Sequence, residues 1–462
     1  MENNYIKLPI INHYLYKSNT GMKLLLIPNN DATIISYGMY ISVGSLDEND
    51  NELGIAHFLE HMMFKGSKKY PDTKLINRLD KLGTTYNAST SYENTEYEIH
   101  GLPQYHDELL TILLDMYFNP QIPKESVNIE REIILEEYNM RYDNKFLKLF
   151  LNLLKLITKE KNKLYSRPII GTKYSINKIT IDDLNDFRKK YNDHSKTLMT
   201  VSGNINVEKT IKHIEDIMNN MISNTSYESI KFNKHENEVI DNINNDDDLY
   251  FDTKRRINFN DRIIYEKVPG EQMNVTINFP CWRQFNDKNY YLNILSSILT
   301  DGMSGRITKA LREKNGMSYS QNSSTTTFNL FGIFTISMGV GINKIYDAIK
   351  VVLDELIILY KNGINKDELE KVKNFNLTGM MIHFQKQMSY FNYFTERIAN
   401  NKKIETLDEI VDKFNSVDIN LINEIIRKII NPRQMFISIV GPNKLDKKII
   451  IKLVREFNDN IK

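Results

Sequence analysis

"LINRLDKLGTTYNASTSYENTEYEIHGL", residues Leu75–Leu102, decides the fold, because a distant stretch of the same chain repeats its grammar. The helix-period segment Thr73–Leu82 stops at Gly83. Tyr86 follows, then a Ser/Thr/Asn-rich run that passes into the alternating "TSYENTEYEIHGL". The second stretch, Arg306–Met338, reads "RITKALREKNGMSYSQNSSTTTFNLFGIFTISM". It has the same order: helix, stop at Gly316, Tyr319, polar run, alternating strand. Such repeated order points to an old duplication.

The flanks extend the repeat. Met22–Ser45, "MKLLLIPNNDATIISYGMYISVGS", reads as strand, turn and strand, and so do Ile257–Val268 and Met273–Pro280. Each half also ends on a strand running into glycine, "TLMTVSGNIN" at Thr197–Asn206 and "MFISIVGPNK" at Met435–Lys444. Helices and strands interleave throughout. The expected fold class is α+β, with two homologous domains, each a mostly antiparallel sheet packed with helices. The polar, acidic stretch His235–Arg256, "HENEVIDNINNDDDLYFDTKRR", reads as a mobile linker. The expected domains are therefore 1–235 and 256–462, joined by an acidic linker at 236–255.

Composition narrows the function classes. The 462 residues exceed one ordinary core. Lys plus Arg number 60 and Asp plus Glu 59, a net charge of +1 that provides no global field for nucleic acid or a membrane surface. No uninterrupted apolar stretch spans a bilayer, and the start "MENNYIKLPI" reads as neither signal peptide nor mitochondrial presequence, so the default expectation is cytoplasmic. The single cysteine, Cys281, excludes an intramolecular disulfide and a Cys-rich zinc site and reads as a buried structural residue.

The chemistry concentrates in "GIAHFLEHMMFKGS", Gly54–Ser67. On a helix His57 and His61 are four apart and project from one face, where both imidazoles can grip one ion. Glu60 beside them is placed to take a proton from water at that ion. A catalytic zinc needs a third ligand. In "PKESVNIEREIILEEYNMRYDN", Pro123–Asn144, the apolar sector is set by Val127, Ile133 and Ile134, and Glu130 and Glu137 fall inside it. Glu125, Glu132, Glu136 and Asp143 fall opposite, among solvated charges. Buried glutamates need partners, either a cation or salt bridges such as one to Arg141.

His57-Phe-Leu-Glu-His61 followed by Glu137 within "EREIILEE" resembles the pitrilysin or insulinase-type zinc peptidases with the inverted H-x-x-E-H motif. In length and motifs the chain is most similar to the β subunit of mitochondrial processing peptidase and to short bacterial zinc proteases. The resemblance implies one zinc ion held by His57, His61 and Glu137, with Glu60 as general base and Glu130 supporting the site. It further implies that "LGTTYNAST" forms a strand edge that accepts substrate as an added strand, with Asn87 and Ala88 in contact; a simple turn before a strand is the alternative there. Arg312 and Tyr319, seven apart in "LREKNGMSYSQNSS", are implied to hold the substrate backbone and help polarise the scissile carbonyl. The second half lacks the motif, so zinc is expected in the first half alone. The family's closed chamber needs four such domains and this chain offers two, half of a clamshell, which implies a second homologous subunit in a homodimer or heterodimer. The expected function is a zinc-dependent endopeptidase for extended, unfolded peptides. The alternative is a non-catalytic structural or regulatory subunit. Leu147 and Leu151 stand where the processing peptidase has acidic residues that recognise arginine, so tolerance of apolar peptides is expected instead.

Overall fold

The computed structural model describes residues 11–158, 163–222, 229–236 and 258–461. Beyond Glu236, the expected linker lies outside the described residues. The chain divides into two compact units, and neither is contiguous in sequence: the first comprises Met1–Arg141, Arg167–Ile240 and His383–Leu407, the second Tyr142–Ser166, Asp241–Ile382 and Asp408–Lys462.

The first unit is built on a seven-stranded sheet in the order β4-β5-β3-β6-β2-β1-β7. Its strands are β1 (Tyr14–Ser18), β2 (Lys23–Pro28), β3 (Ile35–Ile41), β4 (Thr85–Thr90), β5 (Thr95–Gly101), β6 (Thr197–Gly203) and β7 (Phe232–Lys234). Strands β2 and β3 are consecutive but do not pair. Strand β6 lies between them, antiparallel to β3 and parallel to β2. The second unit has a five-stranded sheet, β10-β11-β9-β12-β8, from β8 (Ile263–Lys267), β9 (Gln272–Cys281), β10 (Ser318–Thr327), β11 (Gly332–Gly341) and β12 (Phe436–Gly441). Here β12 likewise lies antiparallel to β9 and parallel to β8. The five strands of the second sheet thus match β4-β5-β3-β6-β2 one for one, and both sheets are mixed.

Central strands are buried on both faces: all seven residues of β3, "ISYGMYI", and all seven of β6, "TLMTVSG", are inaccessible. A strand of this kind needs cover above and below. In the first unit one cover is the helix Gln387–Ala399, which comes from the second half of the sequence. Thr395 bonds Thr200 of β6 at 2.9 Å, and a side chain at Gly38 of β3 would stand 2.6 Å from the ring of Phe391. In the second unit the cover includes a helix from the first half, Lys145–Ile157, whose Leu149 packs with Val268 and Val440 and whose Asn152 donates to Glu266 at 2.8 Å. Each unit therefore holds a helix from the other half, which the contiguous division expected from sequence did not contain. Leu151 of that helix is buried, Leu147 half-buried and Lys148 paired with Glu266, while Phe146 is exposed.

Cys281 is buried at the end of β9, and burial pushes its thiol well above its ordinary range. Among the described residues no helix is long and apolar enough to cross a membrane.

Candidate metal centre

Two helices assemble the centre: α1 (Ile55–Met63) and α4 (Lys124–Asp143), with α2 (Lys74–Lys81) and α3 (His106–Phe118) lying between them in sequence. Helix α1 is nearly all apolar, and Phe58, Leu59, Met62 and Met63 are fully buried. Its start is fixed by Glu48, buried in the preceding loop, whose carboxylate accepts the N–H of Gly54 at 2.9 Å and of Ala56 at 3.0 Å. Gly54 has φ +91°, and a side chain there would meet the carbonyl oxygen of Ile170 at 2.4 Å. Gly171, in the "RPIIGT" segment, meets the carbonyl oxygen of Leu53 in the same way, at 2.3 Å. Backbone packs on backbone here, which only glycine permits.

With that start fixed, His57 and His61 emerge on one face, their ring centroids 4.7 Å apart. Helix α4 faces them with Glu137, whose Oε2 lies 3.5 Å from Nε2 of His57 and 3.5 Å from Nε2 of His61. Val127, Glu130 and Ile134 of α4 are buried, while Glu125, Glu132, Glu136 and Asp143 are exposed, as the helical pattern predicts. Ile133 departs from the pattern at 47% exposure: it lies at the margin of the buried stripe, beyond the glutamates.

Partners of each group define its state. Nδ1 of His61 and Oε2 of Glu130 are 3.0 Å apart, and Lys65 pairs with the other oxygen of Glu130. The contact at Nδ1 turns Nε2 of the same ring towards Glu137 and His57. Burial, then the neighbouring His61, lowers His57 to about 3, so its imidazole is neutral and its lone pair available. Burial opposes protonation of His61, but its bonds to Glu130 and Glu137 prevail and raise it to about 9. The His61 bond holds Glu137 down to about 2, and Arg141 donates to its Oε1 at 2.6 Å. Both glutamates have salt-bridge partners, Glu130 in Lys65 and Glu137 in Arg141 through one oxygen, while the other oxygen of Glu137 faces the histidines. The Glu60 carboxyl is buried, which raises it, and it accepts a hydrogen bond from Oγ1 of Thr90 at 2.8 Å.

His57, His61 and Glu137 each offer one ligand atom, and these lie within 4.8 Å of one another. Two imidazole nitrogens and a carboxylate oxygen form a donor set that suits zinc, and among the described residues no fourth ligand joins this group. Asn87 is exposed and Ala88 half-buried on β4, the edge strand of the sheet. Arg312 and Tyr319 lie in the second unit, where the guanidinium sits 5.1 Å from the Tyr319 ring centroid and Tyr319 is 83% exposed. Arg312 belongs to a π-helical turn, Lys309–Lys314. Sequence reasoning did not single out Glu48, Lys65 or Thr90. Glu48 lies six residues before the N-cap Gly54, outside any capping spacing, and all three reach the centre through contacts that only folding makes.

The Insulinase (Peptidase family M16) profile matches residues 23–173, and the Peptidase M16 inactive domain profile matches residues 178–376. The chain is 26% identical over 414 residues to the uncharacterized zinc protease YmxG of Bacillus subtilis (strain 168), covering 90% of this chain and 95% of the relative. It is 25% identical over 443 residues to an uncharacterized zinc protease of Rickettsia felis, covering 94% and 98%. In fold it is similar to a protease from Helicobacter pylori, with TM-score 0.76, 18% identity and coverage of 94% and 100%. The periplasmic protease PqqL from Escherichia coli aligns with TM-score 0.74 and 18% identity, covering 98% of this chain and 51% of PqqL. Two matched profiles that follow one another along the chain, together with the paired histidines and distal glutamate, place this chain in the insulinase family, peptidase family M16.

Proposed function

We propose that this chain is a zinc-dependent endopeptidase that hydrolyses extended, unfolded peptides. The observation that carries the reading is the convergence of His57, His61 and Glu137 with Glu60 one helical position away. A bound zinc ion supplies Lewis acidity towards a water and a carbonyl oxygen. Glu60 takes the proton from the attacking water and returns it to the leaving amine. Glu130, held between His61 and Lys65, fixes the His61 ring and keeps its Nε2 turned inward. Arg312 and Tyr319 supply a cation and a hydroxyl for the backbone of the bound peptide.

Substrate selection follows from the open edge of β4, which accepts an added strand through backbone bonds, so a peptide must be extended to bind. The chain corresponds to half the length of PqqL, which supports a second homologous subunit, identical or related, as the partner that completes the chamber.

The deciding experiment incubates the purified chain with a library of unstructured peptides, beside Glu60→Gln, and reads products by mass spectrometry and bound zinc by elemental analysis. Cleavage lost in Glu60→Gln with zinc retained is the expected result. Equal cleavage by both proteins, or a wild-type chain that binds no zinc, overturns the reading.

A further inference from the structure

Glu60 is held by a residue outside its own helix. Thr90, the last residue of β4, donates from Oγ1 to Oε2 of Glu60, and Oε1 makes no hydrogen bond among the described residues. Thr90 lies on the same face of β4 as Tyr86 and Ala88, while Thr85, Asn87 and Ser89 are exposed on the other. Tyr86 stacks near Phe64, which directly follows α1, with ring centroids 5.6 Å apart. One face of β4 is therefore fastened to the motif helix, and among the described residues β5 is its single strand neighbour, which leaves β4 at the edge of the sheet.

The second unit repeats this joint without the metal residues. Ser323 follows Gly316 by seven residues, as Thr90 follows Gly83, and both glycines have positive φ. Ser296 precedes Gly302 by six residues, as Glu60 precedes Gly66. Ser296 Oγ lies 2.7 Å from the carbonyl oxygen of Ser323 and 3.0 Å from its Oγ. In both units a residue with a hydroxyl on an edge strand thus meets a residue near the end of a helix. Only in the first unit is the group it meets a carboxylate.

We propose that Thr90 is the positioning residue for the general base. Its hydroxyl holds Oε2 of Glu60 and leaves Oε1 as the atom that accepts the proton. The bond ties the base to the strand along which the peptide lies, so that substrate and base share one frame. A hydroxyl bonded to a carboxylate is strong enough to fix a rotamer, and a base displaced by about 1 Å loses rate rather than binding. This inference rests on the peptidase reading above.

The test compares Thr90→Val, which keeps the shape and removes the hydroxyl, with Thr90→Ser, which keeps the hydroxyl. Expected for Thr90→Val is a kcat roughly 10–100-fold lower with KM and bound zinc unchanged, and Thr90→Ser recovers most of the loss. A second measurement needs no activity: the denaturant midpoints of wild type, Thr90→Val, Glu60→Gln and the double variant, all without zinc. Non-additive midpoints are expected, because each change removes part of one bond. Wild-type kcat in Thr90→Val overturns the inference, as do additive midpoints, or a loss of zinc that Thr90→Ser does not repair. A wild type that binds no zinc sinks the peptidase reading and with it the role in catalysis; the midpoints then report on the bond alone.

Discussion

Single residues set the chemistry of this centre through their neighbours. Glu130 touches no ligand position, yet it accepts from His61 and pairs with Lys65, so Glu130→Gln is expected to weaken zinc binding roughly 10–100-fold in a competition titration against a chelator. Zinc affinity equal to wild type would remove Glu130 from the site. Away from the centre, the Glu96 carboxyl on β5 is raised from 4.5 to about 7 by burial, then by Glu98 and Glu396. Between those two values the folded protein holds a proton that the unfolded chain has released, so stability falls as pH rises through this window. Glu96→Gln should flatten that fall by about 1–3 kcal/mol, read as urea midpoints measured at pH values below and above the window. Parallel pH profiles for variant and wild type would show that Glu96 does not carry it. The facing pair His57 and His61, with Glu60 beside them, was legible from spacing alone, because a period near 3.6 puts residues four apart on one face. Thr90 and Lys65 were not, because nothing local distinguishes a threonine or lysine that will meet a buried carboxylate.

At the scale of elements, α1 is a short apolar helix whose register depends on its first turn. Glu48 supplies the acceptors there, and although burial pushes its carboxyl up to about 8, the N–H groups of Gly54 and Ala56 pull the other way. Glu48→Ala leaves both N–H groups without an acceptor, and a loss of about 2 kcal/mol in unfolding free energy is expected, together with weaker zinc binding. Unchanged values for both would show that the loop does not position the helix. Gly54→Ala should cost at least as much, from positive φ and the approach to Ile170. Helix α4 was readable as a buried stripe bearing Glu130 and Glu137 among Val127 and Ile134. The exposure of Ile133 was not, since the width of a buried stripe depends on what lies opposite, and periodicity carries no information about that.

For the whole molecule, the exchange of helices between halves has a direct consequence. Residues 1–235 contain every metal-site residue but lack the helix Gln387–Ala399 that covers β3 and β6. Expressed alone, this segment is expected to bind hydrophobic dyes and to lack a cooperative unfolding transition, because one face of its central strands is bare. A sharp transition in the isolated segment would show that the cover is dispensable. In the full chain Phe391→Ala should destabilise the first unit by about 3–5 kcal/mol and raise hydrogen exchange in β3, although the residue lies in the second half of the sequence.

The sequence by itself determined the α+β class, the duplicated order of elements and the residues able to hold zinc. The first two are written in local periodicity and in turn residues, and His57 and His61 in their spacing along a helix; Glu137 as the third ligand was implied by the family resemblance. The tertiary structure alone decided that β6 enters between β2 and β3, that each sheet takes a helix from the other half, and that Thr90 and Lys65 reach Glu60 and Glu130. Strand order and helix exchange are solutions to covering apolar faces on both sides of a sheet, and many chain paths satisfy one hydrophobic pattern. Choosing among them takes the whole packed unit.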